Sequence, residues 1–289
     1  MKFKKTIMIF VFAGAAAIIA GGCAFFAHSH YKNIEAPVKP MDTVRLASLT
    51  SVKNREDIVL CAHRGFSAEY PENTVVAVEN AILNGYSYVE FDVHESLDGT
   101  LMVMSDPTLN RMTNGRGRIS SKSYKDLLTL TVDNGANIEK FDDIRIPALG
   151  TMLNKCIGSV PVINIRDISK DGIDVLFTVL EKHDLLRNSV VASKDKKKLL
   201  YFRSKSTETE LWYFVDKITS DAVDFCMENT NIKLSFNANN LFNTGRLVSK
   251  TLEKGVEMNC YVVNDADVLK KYAAAGVTEF ITDAIIPMA

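Results

Sequence analysis

The chain has 289 residues, 47% apolar and 24% charged, proportions that exclude a disordered or fibrous protein. Its 34 Lys and Arg balance 35 Asp and Glu, so it lacks the basic excess of a nucleic-acid binder, and no nucleic-acid partner is expected. Five cysteines without a CxxC pair argue against a zinc ribbon or finger and leave a disulfide among the later four open.

At the N-terminus Lys2, Lys4 and Lys5 precede Thr6–Ala27, an uncharged run of 22 residues. As a helix such a run crosses the roughly 30 Å hydrocarbon layer, and its positive N-terminal flank orients the remainder outward. Residues 1–27 are therefore read as a signal or anchor segment. Ile19-Ala20-Gly21-Gly22-Cys23 looks like a lipobox, with Cys23 as the lipidated residue, although Ala20 stands where a larger aliphatic residue is usual. The expectation is an extracytoplasmic protein held to the membrane by this segment, or secreted if it is cleaved. Residues 28–56, with Pro37, Pro40 and mixed charge, read as a linker or irregular lead-in.

From residue 57 to 289 strand-like runs alternate with helical patterns. Ile58–Ala62, Tyr88–Val93, Leu101–Met104, Val160–Arg166, Ser189–Ser193, Leu211–Val215, Ile232–Phe236, Glu257–Val263 and Glu279–Thr282 are the strand candidates. Glu72–Asn84, Gly172–His183, Lys194–Ser204 and Leu241–Lys254 are helical, and Asp98-Gly99 marks a turn. The strand-then-helix repeat predicts an α/β (β/α)₈ TIM barrel, with one of nine strands outside it and Pro107–Leu153 inserted at one rim. The basic run Lys194–Lys198 reads as a solvated helix start. Trp212 and Tyr213, in an apolar strand, read as packing residues.

Two clusters carry chemistry. His63-Arg64-Gly65 follows the first strand, where a barrel places its active face, and supplies a proton carrier and a planar cation suited to phosphate or carboxylate. Glu90 and Asp92, two apart on one strand, point to one face. Two like charges there call either for a hard cation such as Ca²⁺ or Mg²⁺ or for Arg or Lys partners.

In order along the chain stand His63-Arg64-Gly65, Pro71-Glu72-Asn73-Thr74, Glu90-x-Asp92, and Asp106-Pro107 with Arg111, Thr113, Asn114 and Gly115. Ile146-Pro147-Ala148-Leu149, Tyr261-Val262-Val263-Asn264-Asp265 and Thr282-Asp283 follow. This succession resembles the glycerophosphodiester phosphodiesterase family. The resemblance implies a TIM barrel that hydrolyses glycerophosphodiesters to glycerol 3-phosphate and an alcohol, within lipid and glycerol metabolism. It implies a divalent cation, Ca²⁺ or Mg²⁺, on Glu90, Asp92 and a further glutamate, with His63 catalytic and Arg64 a catalytic and substrate contact.

Three positions depart from the pattern. Ser105 stands where the family carries its second histidine. Arg166 replaces the further metal glutamate, and Ile168 a lysine near phosphate. A guanidinium beside the cation weakens or abolishes metal binding. Two readings follow. Either Arg166 joins Arg64 in binding the phosphodiester, with activity weak or altered, or it pairs with Glu90 and Asp92 in a catalytically inactive barrel that binds a phosphorylated head group or surface polymer. His94, two residues past Asp92, is a candidate substitute for the missing histidine.

Overall fold

The computed structural model describes residues 38–288. The segment 1–27, with Cys23, and residues 28–37 of the expected linker lie outside the described residues. Among the described residues no helix is long and apolar enough to cross a membrane.

The strands are β1 (Val44–Arg45), β2 (Val59–Ala62), β3 (Tyr88–Glu95), β4 (Leu101–Val103), β5 (Val160–Ile165) and β6 (Val190–Ser193). They continue with β7 (Glu210–Val215), β8 (Ile232–Asn237), β9 (Met258–Tyr261), β10 (Glu279–Thr282) and β11 (Ile285–Ile286). The helices are α1 (Val75–Leu83), α2 (Tyr124–Leu127), α3 (Leu149–Leu153), α4 (Lys170–Lys182), α5 (Lys196–Arg203), α6 (Ser220–Glu228), α7 (Gly245–Leu252) and α8 (Ala266–Ala273). Eight parallel strands, β2, β3 and β5 to β10, close into a ring through the β10–β2 and β2–β3 pairs, which is the expected (β/α)₈ barrel. The ninth strand outside the ring is β4, folded back antiparallel on β3 with Val93 opposite Val103.

Side chains alternate between the two faces of each strand. One set, including Leu60, Val89, Phe91, Ile163, Val191, Leu211 and Leu234, packs between barrel and helices. The other fills the barrel interior with Cys61, Val162, Val190, Ala192, Trp212, Phe214 and Ile281. Trp212 and Tyr213 are packing residues: the Trp212 ring lies beside Tyr88, and Tyr213 meets Phe225 edge-on. At the strand-start end Lys233 is buried between Glu279 Oε1, 2.6 Å away, and Glu210 Oε1, 3.3 Å away. Cys61, Cys156, Cys226 and Cys260 are free and buried.

Helix starts are fixed by caps. Thr74, Ser169, Thr219 and Thr244 accept from backbone N–H groups of the first turns of α1, α4, α6 and α7, and Asp195 and Asp265 do so for α5 and α8. This is why α1, α5 and α7 begin two to four residues after the hydrophobic periodicity suggests. The lead-in before the barrel is tied down in its described part: β1 pairs with β11, and Leu46 is buried. The expected rim insertion has its own apolar cluster, with Met104, Leu109, Met112, Ile119, Leu127 and Ile146.

Candidate active site

The turn after β2 is shaped by backbone constraints. Arg64 takes φ 61° and Gly65 φ 78°, the left-handed region. A Cβ on Gly65 would lie 2.7 Å from the Ala77 backbone, so only glycine lets α1 approach this closely. The turn is pinned to β3: Arg64 N–H donates to Glu90 Oε2 at 3.0 Å, and Gly65 N–H to the Glu90 carbonyl at 3.1 Å. His63 N–H donates to the Thr282 carbonyl at 2.9 Å, tying the turn to the end of β10.

His63, Arg64, Glu90, Asp92 and Arg166 line one cavity of about 210 Å³ at the strand-end face of the barrel. Asn164 and Lys194 complete its polar wall; Phe214, Tyr261, Val262 and Ile281 form the rest. Tyr261 is fixed by its hydroxyl, which donates to the Val215 carbonyl at 3.1 Å.

His63 has a partner that the sequence gives little hint of. Its Nδ1 is 2.7 Å from Asp283 Oδ1, and Asp283 also accepts from Ser67 Oγ at 2.8 Å and Asn264 Nδ2 at 2.7 Å. Burial opposes the imidazolium, but the charge and hydrogen bond of Asp283, with the charge of Glu90, outweigh it and raise the His63 pKa above its ordinary value. Burial likewise opposes ionisation of Asp283, and the charge of His63 with the three hydrogen bonds overrides it, so the carboxyl stays well below the usual range. Nε2 is thereby the ring nitrogen left for a ligand.

Glu90 and Asp92 share a face but not an environment. Burial, then the neighbouring Asp92 charge, push Glu90 up to about 7. Asp92 is enclosed by nitrogen groups. Asn73 Nδ2 donates to Oδ2 at 3.2 Å and Asn164 Nδ2 to Oδ1 at 2.9 Å. The Arg64 and Arg166 Nε atoms lie 3.2 and 3.6 Å from Oδ2 and Oδ1 as ion pairs. Asn73 Oδ1 also accepts from Asp92 N–H at 3.0 Å. Arg64 continues outward through Nη1 to Glu72 Oε1 at 3.0 Å, and Arg111 bridges Glu72 at 2.5 Å to Asp106 at 2.6 Å.

This donor set does not fit a divalent cation. Ca²⁺ and Mg²⁺ require six or more oxygen ligands. Here both Asp92 oxygens face nitrogen donors, Glu90 Oε2 is taken by Arg64 N–H, and two guanidinium groups stand beside them. Among the described residues no three His, Cys, Asp or Glu side chains converge to hold a metal.

Of the three substituted positions only Arg166 lines the cavity. Ser105 is buried, and its carbonyl lies 3.1 Å from His94 Nε2. His94 is also buried, its pKa lowered by that burial, and it does not line the cavity, so it does not replace the missing histidine. Ile168 packs in the core. Asp167 turns away to Arg118, 2.8 Å distant, as strand alternation requires. Ser193 is buried and hydrogen-bonds the Asp195 N–H and the Ile165 carbonyl rather than facing a ligand. Lys194, by contrast, stands in the cavity wall rather than in an ordinary solvated helix start, because α5 begins only at Lys196. Its place directly after β6 is the signal that could have revealed it.

The Glycerophosphoryl diester phosphodiesterase family model matches residues 63–286. Glycerophosphodiester phosphodiesterase 1 from Rattus norvegicus is 34% identical over 111 residues, 38% of this chain and 34% of that protein. The Homo sapiens protein of the same name is 31% identical over 150 residues, 50% of this chain and 45% of its own length. The chain thus spans between about a third and a half of the length of these relatives. Among solved structures, an Oleispira antarctica phosphodiesterase in complex with the product sn-glycerol-3-phosphate superposes with TM-score 0.71 at 23% identity, over 83% of this chain and 95% of that one. A Thermotoga maritima glycerophosphodiester phosphodiesterase gives 0.63 at 22%, over 78% and 94%. At such identities these structures speak for the fold.

Proposed function

Since this chain belongs to the glycerophosphoryl diester phosphodiesterase family, we propose that its barrel mouth binds and hydrolyses small glycerophosphodiesters to glycerol 3-phosphate and an alcohol. The observation that carries the reading is the meeting, in one cavity, of an Asp-oriented histidine with Arg64, Arg166 and Lys194. Hydrolysis of a phosphodiester needs neutralisation of its non-bridging oxygens, a base for water and an acid for the departing alkoxide. Arg64 and Arg166 supply the first. His63 Nε2 takes the proton of the attacking water, and Asp283 holds the resulting imidazolium. A bond forms between the water oxygen and phosphorus as the bond from phosphorus to the alcohol oxygen breaks. Glu90, ionising near 7, is the remaining cavity group able to return a proton to that oxygen. Phe214, Tyr261 and Ile281 give the carbon-bearing part of the substrate an apolar wall. No step is assigned to Ca²⁺ or Mg²⁺, because the donor set does not suit either.

The test is release of glycerol 3-phosphate from glycerophosphocholine by the full chain. His63→Ala is expected to lower the rate by about 10²–10⁴. Binding of the diester without any release would instead support the reading of a non-catalytic binder.

The basic, then apolar sequence of residues 1–27 supports placing the protein outside the cytoplasm, tethered to the membrane through that segment. Metabolic labelling with a radioactive fatty acid that disappears in Cys23→Ala would identify the lipoprotein form; retention in the membrane fraction without label would identify a signal anchor.

A further inference from the structure

We propose that this barrel binds its phosphate ester without a metal ion, the Arg166 guanidinium standing where a cation would otherwise neutralise the ligand. The inference rests on reading the mouth as a phosphodiester site and extends that reading to how the anion is held.

The position of Arg166 is set by the barrel. Val162, Asn164 and Arg166 share the inward face of β5 and its extension, and Asp92 is the register partner of Asn164. Arg166 N–H donates to the Val93 carbonyl at 3.0 Å, and its own carbonyl accepts from Lys198 Nζ. The backbone is therefore held on both sides, and the guanidinium is delivered to Asp92 Oδ1 with 35% of the side chain still exposed to the cavity. Arg64 approaches Oδ2 of the same carboxylate from the other side, 24% exposed. Asp92 thus acts as a post between two planar cations; Arg64 Nη1 is held by Glu72, and it is Arg166 that leaves more of its side chain exposed to a ligand.

The charge balance leads to the same conclusion. Three cationic side chains, Arg64, Arg166 and Lys194, line the cavity against two carboxylates, Glu90 and Asp92. The lining already suits a phosphodiester monoanion, and an added divalent ion would meet repulsion from three sides. Arginine pairs with phosphate through two parallel N–H bonds, a geometry that replaces the orienting role of a metal as well as its charge.

The experiment is calorimetric titration of the full-length chain, in detergent, with sn-glycerol 3-phosphate. It is run with chelator, with Ca²⁺ and with Mg²⁺, then repeated with Arg166→Met and Arg166→Glu after their thermal melts are checked. Affinity for the unmodified chain should be the same in all three conditions. Both variants should bind about ten- to a hundredfold more weakly in chelator, the loss expected for a charged hydrogen-bond donor. Lys194→Met, at an exposed position, provides a milder perturbation of the same cation set should both Arg166 variants fail to fold, and it should also weaken binding in chelator. Binding by the unmodified chain that vanishes in chelator would overturn the cation-free inference alone, leaving the phosphodiester reading intact. So would Ca²⁺ titrated by itself saturating a site that Asp92→Asn removes. Absence of binding under every condition would overturn both readings together.

Discussion

At the scale of single residues, the His63–Asp283 pair couples function to pH. The His63 pKa is raised and the Asp283 pKa lowered in the fold, each by the other's charge after burial is overcome. The depressed carboxyl contributes stability above its unfolded value of about 4, and that contribution is lost as pH falls through the folded value. The raised imidazole contributes fully below its unfolded value of about 6.5, and that contribution is lost as pH rises through the folded value. Asp283→Asn should therefore destabilise most between about pH 4 and 6.5, as measured by urea midpoints across pH, and should lower the His63 pKa in an NMR titration. In the rate profile, activity needs His63 unprotonated, its pKa raised by Asp283, and Glu90, pushed up to about 7, protonated. Activity should fall on the alkaline side as Glu90 ionises through about 7, and Glu90→Gln should abolish that limb; an unchanged limb would remove Glu90 from proton transfer. The residues legible in sequence, His63, Arg64, Glu90, Asp92 and Arg166, all sit at strand ends or at a spacing of two, so local rules bring them together. Asp283 was illegible as a partner because 220 residues separate it from His63 and only ring closure joins them. Asn73 was illegible as a clamp on Asp92 for the same kind of reason, since the contact depends on how α1 docks against β3.

At the scale of elements, strand positions follow from apolar runs, while helix starts follow from individual hydrogen bonds. Eight parallel strands lie within a residue or two of where the pattern puts them, because burial on both faces of a barrel strand leaves an almost continuous apolar signature. The helices α6 and α8, absent from the helical stretches expected from the sequence, depend on Thr219 and Asp265 at their starts. Thr219→Ala should cost about 1 kcal/mol of stability, read as a lower melting temperature with ligand binding intact, because α6 carries no cavity residue. The HRG turn is less forgiving. Gly65→Ala places a methyl group 2.7 Å from backbone in a conformation of positive φ. It should cost at least about 1–3 kcal/mol and also weaken phosphate-ester binding, since Arg64 N–H and its side chain would move off Glu90 and Asp92. A variant as stable as the parent would mean that α1 can retreat from the turn without cost.

At the scale of the whole molecule, the site is a product of closure. The first barrel strand, β2, brings His63 and Arg64, and the last, β10, brings Asp283 through a seam in which Cys61 and Ala62 pair with Ile281 and Thr282. Just beyond that seam β11 is braced by β1, Val44 N–H donates to the Ala284 carbonyl at 3.0 Å, and Tyr86 donates its hydroxyl to the Ile285 carbonyl at 2.9 Å. The described lead-in is therefore part of the structure that holds the closing strand, with Leu46 only 1% exposed in the core shared by Tyr86 and Ile285. Truncating that side chain removes buried apolar contacts next to the brace and leaves a cavity that close-packed neighbours fill only in part. Leu46→Ala should destabilise the chain by about 2–5 kcal/mol, followed through the single tryptophan, Trp212, which lies inside the barrel and reports its opening. Glycerol 3-phosphate affinity of the folded variant should be unchanged in the same preparation, because Leu46 lines no part of the cavity. A midpoint indistinguishable from that of the parent chain would show that the seam holds without its brace and that the lead-in merely rests on the barrel.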